Sequence, residues 1–396
     1  MYVAPRLRSA TAAFVAATLA LALTVFAPQS LSSHADAQSI PGLISGVDVA
    51  DHQRPGGAPI NWKMAGTVGG QHFAFVKATE GTTYKNSFYE EDVKAAADAG
   101  LKVGAYHYAR PGMDPIAQAR HFANVINAGP AQQLPPVLDL EVDEGLGPTQ
   151  LAAWTQIFLT ELERASGKRP MLYTYRYFWY ERMNNTNAFT SYPLWLAAYQ
   201  NQPPRPVGGW DKLAFWQRSG SGRVAGIETD VDMNLFNGTE AQLQSFSGGN
   251  YIDFGGILDD MVIPGVDLGD DAGVLIAGIL ALAAGAVAVP AVADAAKNAG
   301  LDVDAAGLIK QAEKLLNDGA ISTDDLKDMA NNDASIGDLA IFLDNAQHLQ
   351  DVDADNVSQQ DVENADRAAR SAGHAAGVAV PNLDAKQVAD LLNSLR

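Results

Sequence analysis

Two carboxylic acids close an apolar run near the middle of the sequence. In PPVLDLE, residues 135–141, the run ends in Asp139 and Glu141. A short apolar run bounded by turn residues is typical of a buried strand, and side chains two positions apart on a strand point to the same face, about 6.5 Å apart. A carboxyl group that burial keeps protonated can serve as a general acid, while an ionised neighbour stabilises positive charge. The pair therefore predicts acid–base chemistry at a strand end.

Other side chains that could take part in catalysis or binding lie at or near the ends of the other apolar runs. The remaining apolar runs end in, or are closely followed by, further acids, a base, an amide and aromatic rings: Asp48, Lys77, Glu80, Tyr106, Tyr173, Trp195, Trp216, Gln217 and Asp232. Aromatic rings with a few acids form the usual lining of sites that bind sugars and cleave glycosidic bonds. The set predicts that one acid protonates a leaving oxygen and another stabilises positive charge on a sugar.

Each of these residues also has a purely structural interpretation. Asp139 and Glu141 could form ion pairs with Lys77 or Arg110, and Glu80 could bind sugar or merely pair with Lys77. His107 could be a packed residue or lie at the edge of a substrate site. The seven histidines are scattered without the spacing of metal ligands, so we predict neither a metal site nor a cofactor.

The elements that would position these side chains alternate between two patterns. Eight apolar runs predict strands at 43–49, 73–77, 102–108, 136–141, 171–175, 193–198, 213–217 and 229–236. Helical patterns lie between several of them, at 86–99, 115–128, 148–166 and 176–183. This alternation predicts parallel strands, whose C-terminal ends meet at one face. Because the last connections are too short for a helix each, we expect an irregular (β/α) barrel, in which the first and eighth strands are neighbours.

Charge and aromatic content divide the chain near residue 240. Residues 40–240 hold 17 Lys/Arg and 20 Asp/Glu, whereas residues 241–396 hold 8 and 25. All six tryptophans lie in the first of these regions. We therefore expect a catalytic barrel over 40–240, a Gly-, Ser- and Asp-rich linker over 241–271 and an acidic, mainly α-helical region over 272–396. The net charge of −19 argues against nucleic acid as a partner.

Two uncharged stretches raise the question of membranes. Arg6 and Arg8 precede an apolar stretch and a small-x-small motif at 35–37, which predicts a signal peptide over 1–37 and a secreted protein. Residues 272–293 are also uncharged and would span about 33 Å as a helix. They are rich in alanine, which makes their transfer into lipid weakly favourable, so a buried helix and an association with membrane or cell wall both stay open. For the acidic region, regulation of access, partner binding and tethering stay open.

Motifs across 44–239 resemble those of glycoside hydrolase family 25, the Chalaropsis-type lysozymes. They include SGVDVADHQ (45–53), PPVLDLEVD (135–143), YPLWLAAY (192–199) and DVDMNLFNGT (230–239), in the family's order and spacing. Met233 replaces the leucine that the family usually has in the last motif. The resemblance implies peptidoglycan glycan strands as the partner, with cleavage of the β-1,4 bond between N-acetylmuramic acid and N-acetylglucosamine.

The resemblance also implies roles for individual residues. Glu141 matches the general acid/base, and Asp139 matches the residue that orients and polarises the substrate's N-acetyl group. Asp48 and Asp232 match acids of the first and last motifs, and Tyr106 and Trp195 match pocket aromatics. Substrate-assisted retention is the implied mechanism; direct attack by Asp139 or Asp232 and inversion through a water remain alternatives.

Two other functions fit the same residues. A lectin-like module could bind peptidoglycan without cleaving it, although a degenerate site would be expected to lose its acid first. A hydrolase could instead act on another N-acetylated polysaccharide such as chitin. Which cell wall is the target, own or foreign, stays open.

Overall fold

A computed structural model describes residues 42–200, 202–252, 254–258, 272–285, 288–298, 305–332 and 334–355. The predicted signal peptide, 1–37, residues 259–271 of the predicted linker and residues 356–396 of the predicted acidic region lie outside these ranges. Nine strands form the sheet: β1 (Ile44–Val49), β2 (Gln71–Glu80), β3 (Tyr84–Lys85), β4 (Lys102–Tyr108), β5 (Val137–Asp139), β6 (Met171–Tyr175), β7 (Leu194–Ala197), β8 (Phe215–Gly222) and β9 (Val231–Phe236).

The sheet closes into an eight-stranded barrel, with β3 as a short hairpin extension of β2. Strand β1 pairs with both β2 and β9, which closes the cylinder. Apart from the antiparallel β2–β3 hairpin, neighbouring strands from β1 to β8 run parallel, but β9 is antiparallel to both β8 and β1. The prediction of an irregular (β/α) barrel is therefore confirmed, including the contact between the first and last strands.

In the described residues, six α-helices accompany the barrel: α1 (Trp62–Thr67), α2 (Tyr89–Asp98), α3 (Pro115–Ala128), α4 (Pro148–Ser166), α5 (Arg176–Glu181) and α6 (Glu240–Ser247). Helices α2 to α5 fall within the predicted helical segments. Pro148 starts α4, where a missing N–H is tolerated, and Gly167 ends it with a φ of 70°. Helix α6 begins at a capping box in which Thr239 accepts from the backbone N–H of Gln242.

Aromatic rings fill the barrel interior and support the floor of its open end. Phe73 and Phe215 meet edge to face with centroids 5.0 Å apart, and Phe75 stacks on Trp195 at 4.6 Å. Gly104 on the adjacent strand leaves room for Phe75, since a Cβ there would lie 2.5 Å from that ring. These contacts hold Trp195 rigidly at the C-terminal end of the parallel strands.

The first part of the predicted linker, 241–258, packs against the barrel. Phe246 of α6 is fully buried and contacts Phe215 and Phe236, with centroids 5.5 and 5.6 Å away. Phe254 and Leu258 are also buried. The apolar core of the barrel therefore extends beyond residue 240, where the change in charge occurs.

Five further helices follow: α7 (Gly273–Ala283), α8 (Val289–Asn298), α9 (Ala305–Asn317), α10 (Thr323–Asn331) and α11 (Ile336–Asp355). The uncharged segment 272–293 is divided between α7 and α8, and Gly285 follows α7 with a φ of 70°. Leu275, Ile276 and Ile279 of α7 are buried. Within the described ranges, no helix combines the length and the apolar character that crossing a membrane requires.

Candidate active site

A cavity of about 520 Å³ opens at the C-terminal end of the parallel strands, and we call it the cleft. Its volume falls in the usual range for small-molecule sites. Nine of the eleven side chains singled out in the sequence line it: Asp48, Lys77, Tyr106, Asp139, Glu141, Tyr173, Trp195, Gln217 and Asp232. The barrel topology thus brings together residues from strands that are far apart in sequence.

The two other candidates lie outside the cleft. Trp216 is fully buried in the core, and its indole N–H donates to the carbonyl of Ala198 at 2.7 Å. Successive side chains on a strand face opposite ways, so Gln217 faces the cleft and Trp216 cannot. Glu80 is 2 % exposed and lies behind Lys77, with its Oε2 2.6 Å from Lys77 Nζ. In this structure Trp216 packs in the core and Glu80 forms an ion pair, so neither lines the cleft.

Asp232 reaches the cleft by a route that differs from the expected one. It lies near the start of β9 rather than at the end of its strand, and β9 runs antiparallel to its neighbours. The reversal brings the start of β9 to the same rim as the ends of the parallel strands. As a result Asp232 pairs in register with Asp48 of β1.

Burial raises the pKa values of these two acids. The pKa of Asp48 rises to about 6 because the side chain is desolvated, although hydrogen bonds from Asn234 and Gln217 oppose the shift. Desolvation also raises the pKa of Asp232 well above its usual value, and the negative charge of Asp48 adds to this. Neutral protonation states are therefore accessible to both carboxyls near physiological pH.

The acids at the end of β5 form a second pair. Strand β5 ends at Asp139, so Glu141 lies just beyond the strand rather than on it, yet both line the cleft. Burial raises the pKa of Glu141 to about 7, against hydrogen bonds from Asn345 and Asp139. Burial and the charge of Glu141 raise the pKa of Asp139 well above its usual value. The pair can therefore hold a proton at neutral pH, as a general acid must.

An amide network, which the sequence had not indicated as a unit, orients Asp48. Gln217 donates to Asp48 at 3.1 Å and accepts from the hydroxyl groups of Tyr173 and Tyr199, at 2.8 and 3.3 Å. Asn234 donates to the same Asp48 oxygen at 2.6 Å and accepts from the Trp195 indole at 2.8 Å. Asn234 lies two residues after Asp232 on β9, so both side chains point to the same face of the sheet. This spacing is the sequence feature from which Asn234 could have been predicted as a site residue.

Charged and aromatic groups behind the cleft are structural. Arg110 contacts Glu80 at 3.3 Å and also pairs with Glu144. His107 is fully buried beside Phe158 and within hydrogen-bonding distance of Thr79, and its burial lowers its pKa to about 3. It is thus a packed residue rather than one at the substrate edge. Among the residues that the structure describes, no group of three or more His, Asp or Glu side chains could hold a metal ion.

Comparison with known proteins identifies this arrangement. The family described as "Glycosyl hydrolases family 25" matches residues 47–227. Lysozyme M1 of Streptomyces globisporus is 35% identical over 212 residues, which cover 50% of this chain and 70% of that protein. The N,O-diacetylmuramidase of Chalaropsis sp is 31% identical over 220 residues, 52% of this chain and 100% of that protein. The chain belongs to glycoside hydrolase family 25.

One solved structure is similar to about half of this family 25 chain. The bacterial lysozyme from Streptomyces coelicolor is 32% identical, with a TM-score of 0.49, and the match covers 52% of this chain and 98% of that one. The expectation from the motifs is confirmed: this is a glycoside hydrolase of the lysozyme, or muramidase, type.

One wall of the family 25 cleft comes from outside the matched residues. Helix α11 contributes the side chains that line this wall: Ile341, Asp344, Asn345, Gln347 and His348. Asn345 contacts Glu141, and His348 contacts Glu80. Sequence reasoning missed all five, since α11 shows no motif and lies about 200 residues beyond Glu141 in the chain.

Proposed function

We propose that the enzyme cleaves the β-1,4 bond between N-acetylmuramic acid and N-acetylglucosamine in peptidoglycan. The observation that carries this proposal is the convergence of Asp139 and Glu141 with Asp48 and Asp232 in a cleft lined by the rings of Tyr106, Tyr173 and Trp195. Acids and aromatic faces in one concave site suit a sugar chain. Lysozyme M1 and the two N,O-diacetylmuramidases among the relatives support the choice of polymer.

In this proposal Glu141 is the general acid and then the general base. Its raised pKa, about 7, lets it carry a proton at neutral pH and deliver that proton to the leaving oxygen. Once the leaving sugar has departed, the ionised Glu141 takes a proton from the water that completes hydrolysis. Burial and the negative charges of Asp48 and Asp344 favour this protonated form before the reaction, while the hydrogen bond with Asp139 opposes it.

Asp139 would act on the N-acetyl group of the substrate. Its Oδ1 is buried and has no hydrogen-bond partner among the described residues. A buried acceptor without a donor is uncommon in a folded protein, and the N–H of an acetamido group would satisfy it. Attack by the acetamido oxygen on the anomeric carbon develops positive charge on that nitrogen, which a carboxylate at Asp139 would stabilise. The product would then retain its anomeric configuration.

Asp48 and Asp232 would hold the sugar and influence the protonation states of the carboxyl groups in the site. Asp48 is fixed by two amide donors, so it can accept a hydrogen bond from the sugar without rotating. Among the described residues, the side chain of Asp232 receives one long contact, 3.4 Å, from the Tyr199 hydroxyl to its Oδ1. This leaves its other oxygen available to a substrate.

The place of action would be outside the cell. Arg6, Arg8, the apolar stretch that follows and the small residues at 35–37 support export with removal of 1–37. Sequencing the N-terminus of the exported protein tests this, and a mature chain that still begins before residue 30 would contradict it.

Mass spectrometry of fragments released from purified peptidoglycan tests the proposed bond. Fragments with muramic acid at the reducing end are the expected result. Glucosamine at the reducing end would indicate cleavage of the other glycosidic bond. Release of soluble fragments from chitin, but not from peptidoglycan, would indicate a different polymer.

A further inference from the structure

Helix α11 presents one face to the cleft. Ile341, Asp344, Asn345 and His348 follow a spacing of three, four and seven residues, which aligns them along one side of a helix. All four line the cleft beside the four carboxylates. The helix therefore occupies space that a bound glycan strand would enter.

Asn345 makes the most direct contact with the proposed catalytic groups. Its Nδ2 donates to Glu141 Oε2 at 3.1 Å, and its Oδ1 accepts from the Tyr108 hydroxyl at 3.2 Å. Both ends of the amide are thus engaged, and the residue is 9% exposed. A general acid must present its oxygen to the leaving oxygen of the substrate. In this structure one of the two Glu141 oxygens, Oε2, is engaged by a side chain of the protein itself.

His348 contacts a second part of the cleft wall. Its Nε2 lies 2.8 Å from Glu80 Oε2 and 3.1 Å from Lys77 Nζ, and its ring packs edge to face on Tyr108. Burial alone would raise the pKa of Glu80, but the charge of Lys77 and the hydrogen bond from His348 hold it well below its usual value. His348 thus joins the ion pair that positions Lys77 at the cleft wall.

The start of α11 is attached to the barrel at two points, one of which is the backbone of the cleft residue Tyr199. Asp338 is 2% exposed, pairs with Arg176 at 2.9 Å and accepts from the backbone N–H of Tyr177. Gly337 lies so close to Tyr199 that an added Cβ would sit 2.8 Å from the Tyr199 carbonyl oxygen. A backbone approach this close requires glycine. The docking of α11 is therefore specified by a buried ion pair and a matched backbone contact.

One feature of the docked helix favours its release. Asp344 adds a further carboxylate to a site that already holds four, and its charge acts on both Glu141 and Asp232. Like charges in a partly buried site repel one another. The docked arrangement is thus held by the contacts of Asp338, Asn345 and His348 and weakened by the charge of Asp344, as a reversible occupant would be.

We propose that α11 is an intramolecular inhibitor that occupies the substrate cleft, contacts Glu141 through Asn345 and must be displaced before a glycan strand binds. The proposal rests on the function proposed above for Glu141. It assigns to the acidic C-terminal region the regulation of access to the cleft. The enzyme would be exported in a state of low activity, and displacement of α11 would raise its activity without any change in the catalytic residues.

Two substitutions in the full chain test the proposal, each against the same control. Gly337→Leu inserts a side chain against Tyr199 and should lift α11 off the barrel, while Asn345→Ala removes the contact with Glu141. The control, Lys327→Ala, removes an exposed ion pair with Asp324 on α10. Initial rates on soluble peptidoglycan fragments should rise about tenfold or more in both test variants, within the usual range of intramolecular coupling. The rate of the control should stay within about twofold of wild type, since exposed pairs contribute little.

Binding measurements separate this proposal from the proposed function. In a Glu141→Gln background, calorimetry should show that Gly337→Leu binds peptidoglycan fragments about tenfold more tightly, because no helix has to be displaced. Unchanged affinity together with unchanged rates would overturn the inhibitory role. A lower rate in Asn345→Ala would also overturn it and would mean that α11 completes the sugar site. Tighter binding without hydrolysis by any variant that retains Glu141 would leave the occlusion standing and reject the proposed muramidase chemistry.

Discussion

Asp48 and Asp232 face each other in register across the antiparallel pair of strands β1 and β9. Both are acids whose pKa desolvation raises, and the negative charge of Asp48 raises the pKa of Asp232 further. Two like charges in a partly buried site oppose folding once both are ionised. The proposed site is therefore a local source of instability, and its effect should depend on pH.

Asp232→Asn should stabilise the protein at neutral pH. The folded-state pKa is raised, so the folded protein keeps a proton that the unfolded chain has released, and the free energy of unfolding falls as pH rises through this window. Replacement by asparagine should raise the free energy of unfolding at pH 7, by about 1.4 kcal/mol for each pKa unit of the shift that is expressed at that pH. The gain should shrink towards pH 4. Urea unfolding at several pH values measures it, with the exposed Asp230→Asn as the control. An equal gain at pH 4 and pH 7 would contradict this explanation.

Glu141→Gln should abolish hydrolysis and preserve the fold. Glutamine has the same shape but cannot donate the proton, and general acid–base help typically contributes about 10²–10⁴-fold. Initial rates on purified peptidoglycan measure the effect, and circular dichroism checks the fold. Glu144→Gln is a matched control, because Glu144 pairs with Arg110 outside the cleft. Residual turnover of about a tenth of wild type would assign the acid role to another residue.

Asp139→Asn should slow the reaction severely while the product keeps its configuration. Loss of a preorganised charge next to the developing positive charge typically lowers the rate by about 10²–10³-fold. Nuclear magnetic resonance of the first product reports its anomeric form, and a slow fluorinated substrate analogue should trap no adduct. A covalent adduct mapped to Asp139 or Asp232 would make that residue the nucleophile. An inverted product would instead require a water activated by a carboxylate.

Asn234→Ala should shift the pH dependence of the reaction. The hydrogen bond from Asn234 lowers the pKa of Asp48, so its removal should raise that pKa further. If ionised Asp48 is needed to hold the sugar, the acidic limb of the pH–rate profile should move to higher pH by about one unit, the scale of a lost charge-assisted hydrogen bond. Gln217→Ala, which removes the second donor, should move it in the same direction. A uniform loss of rate without such a shift would mean a purely structural role.

The barrel should be less stable when it ends at residue 240 than when it ends at residue 258. The shorter fragment lacks Phe246, a fully buried ring that packs against Phe215 and Phe236. Loss of such a ring typically lowers the free energy of unfolding by about 3–5 kcal/mol. Urea unfolding of fragments 38–240 and 38–258 measures the difference. Equal stability would place the end of the autonomous domain at residue 240, where the charge content changes.

The sequence by itself was sufficient for the barrel and for most of the cleft. Apolar runs punctuated by turn residues predict strands because burial on both faces demands continuous hydrophobicity, and strand β4 was found at its predicted bounds. Parallel strands must deliver their C-terminal ends to one rim, which is why Asp48, Tyr106 and Asp139 could be grouped without coordinates. The family motifs then attached a chemistry to that group.

Local sequence patterns were less informative where the position of a side chain depended on which face of the strand it occupies or on the direction in which the strand runs. Trp216 and Gln217 are neighbours on β8, and only the pleat determines which of them faces the cleft. Asp232 reaches the rim because β9 is reversed, a property of strand pairing rather than of its own residues. Phe246 belongs to the barrel core although the segment around it has the composition of a linker.

Only the tertiary structure brought Asn345 to Glu141. Their hydrogen bond joins residues 204 positions apart, and the helix that carries Asn345 has no motif that marks it as a partner of the cleft. Periodicity along a chain reports which face of an element is apolar, because that face must be buried somewhere. Periodicity carries no information about the surface against which the polar face of a helix will pack. That choice depended on the Asp338–Arg176 ion pair and on the close approach of Gly337 to Tyr199, contacts that exist only once the barrel and the helices have folded together.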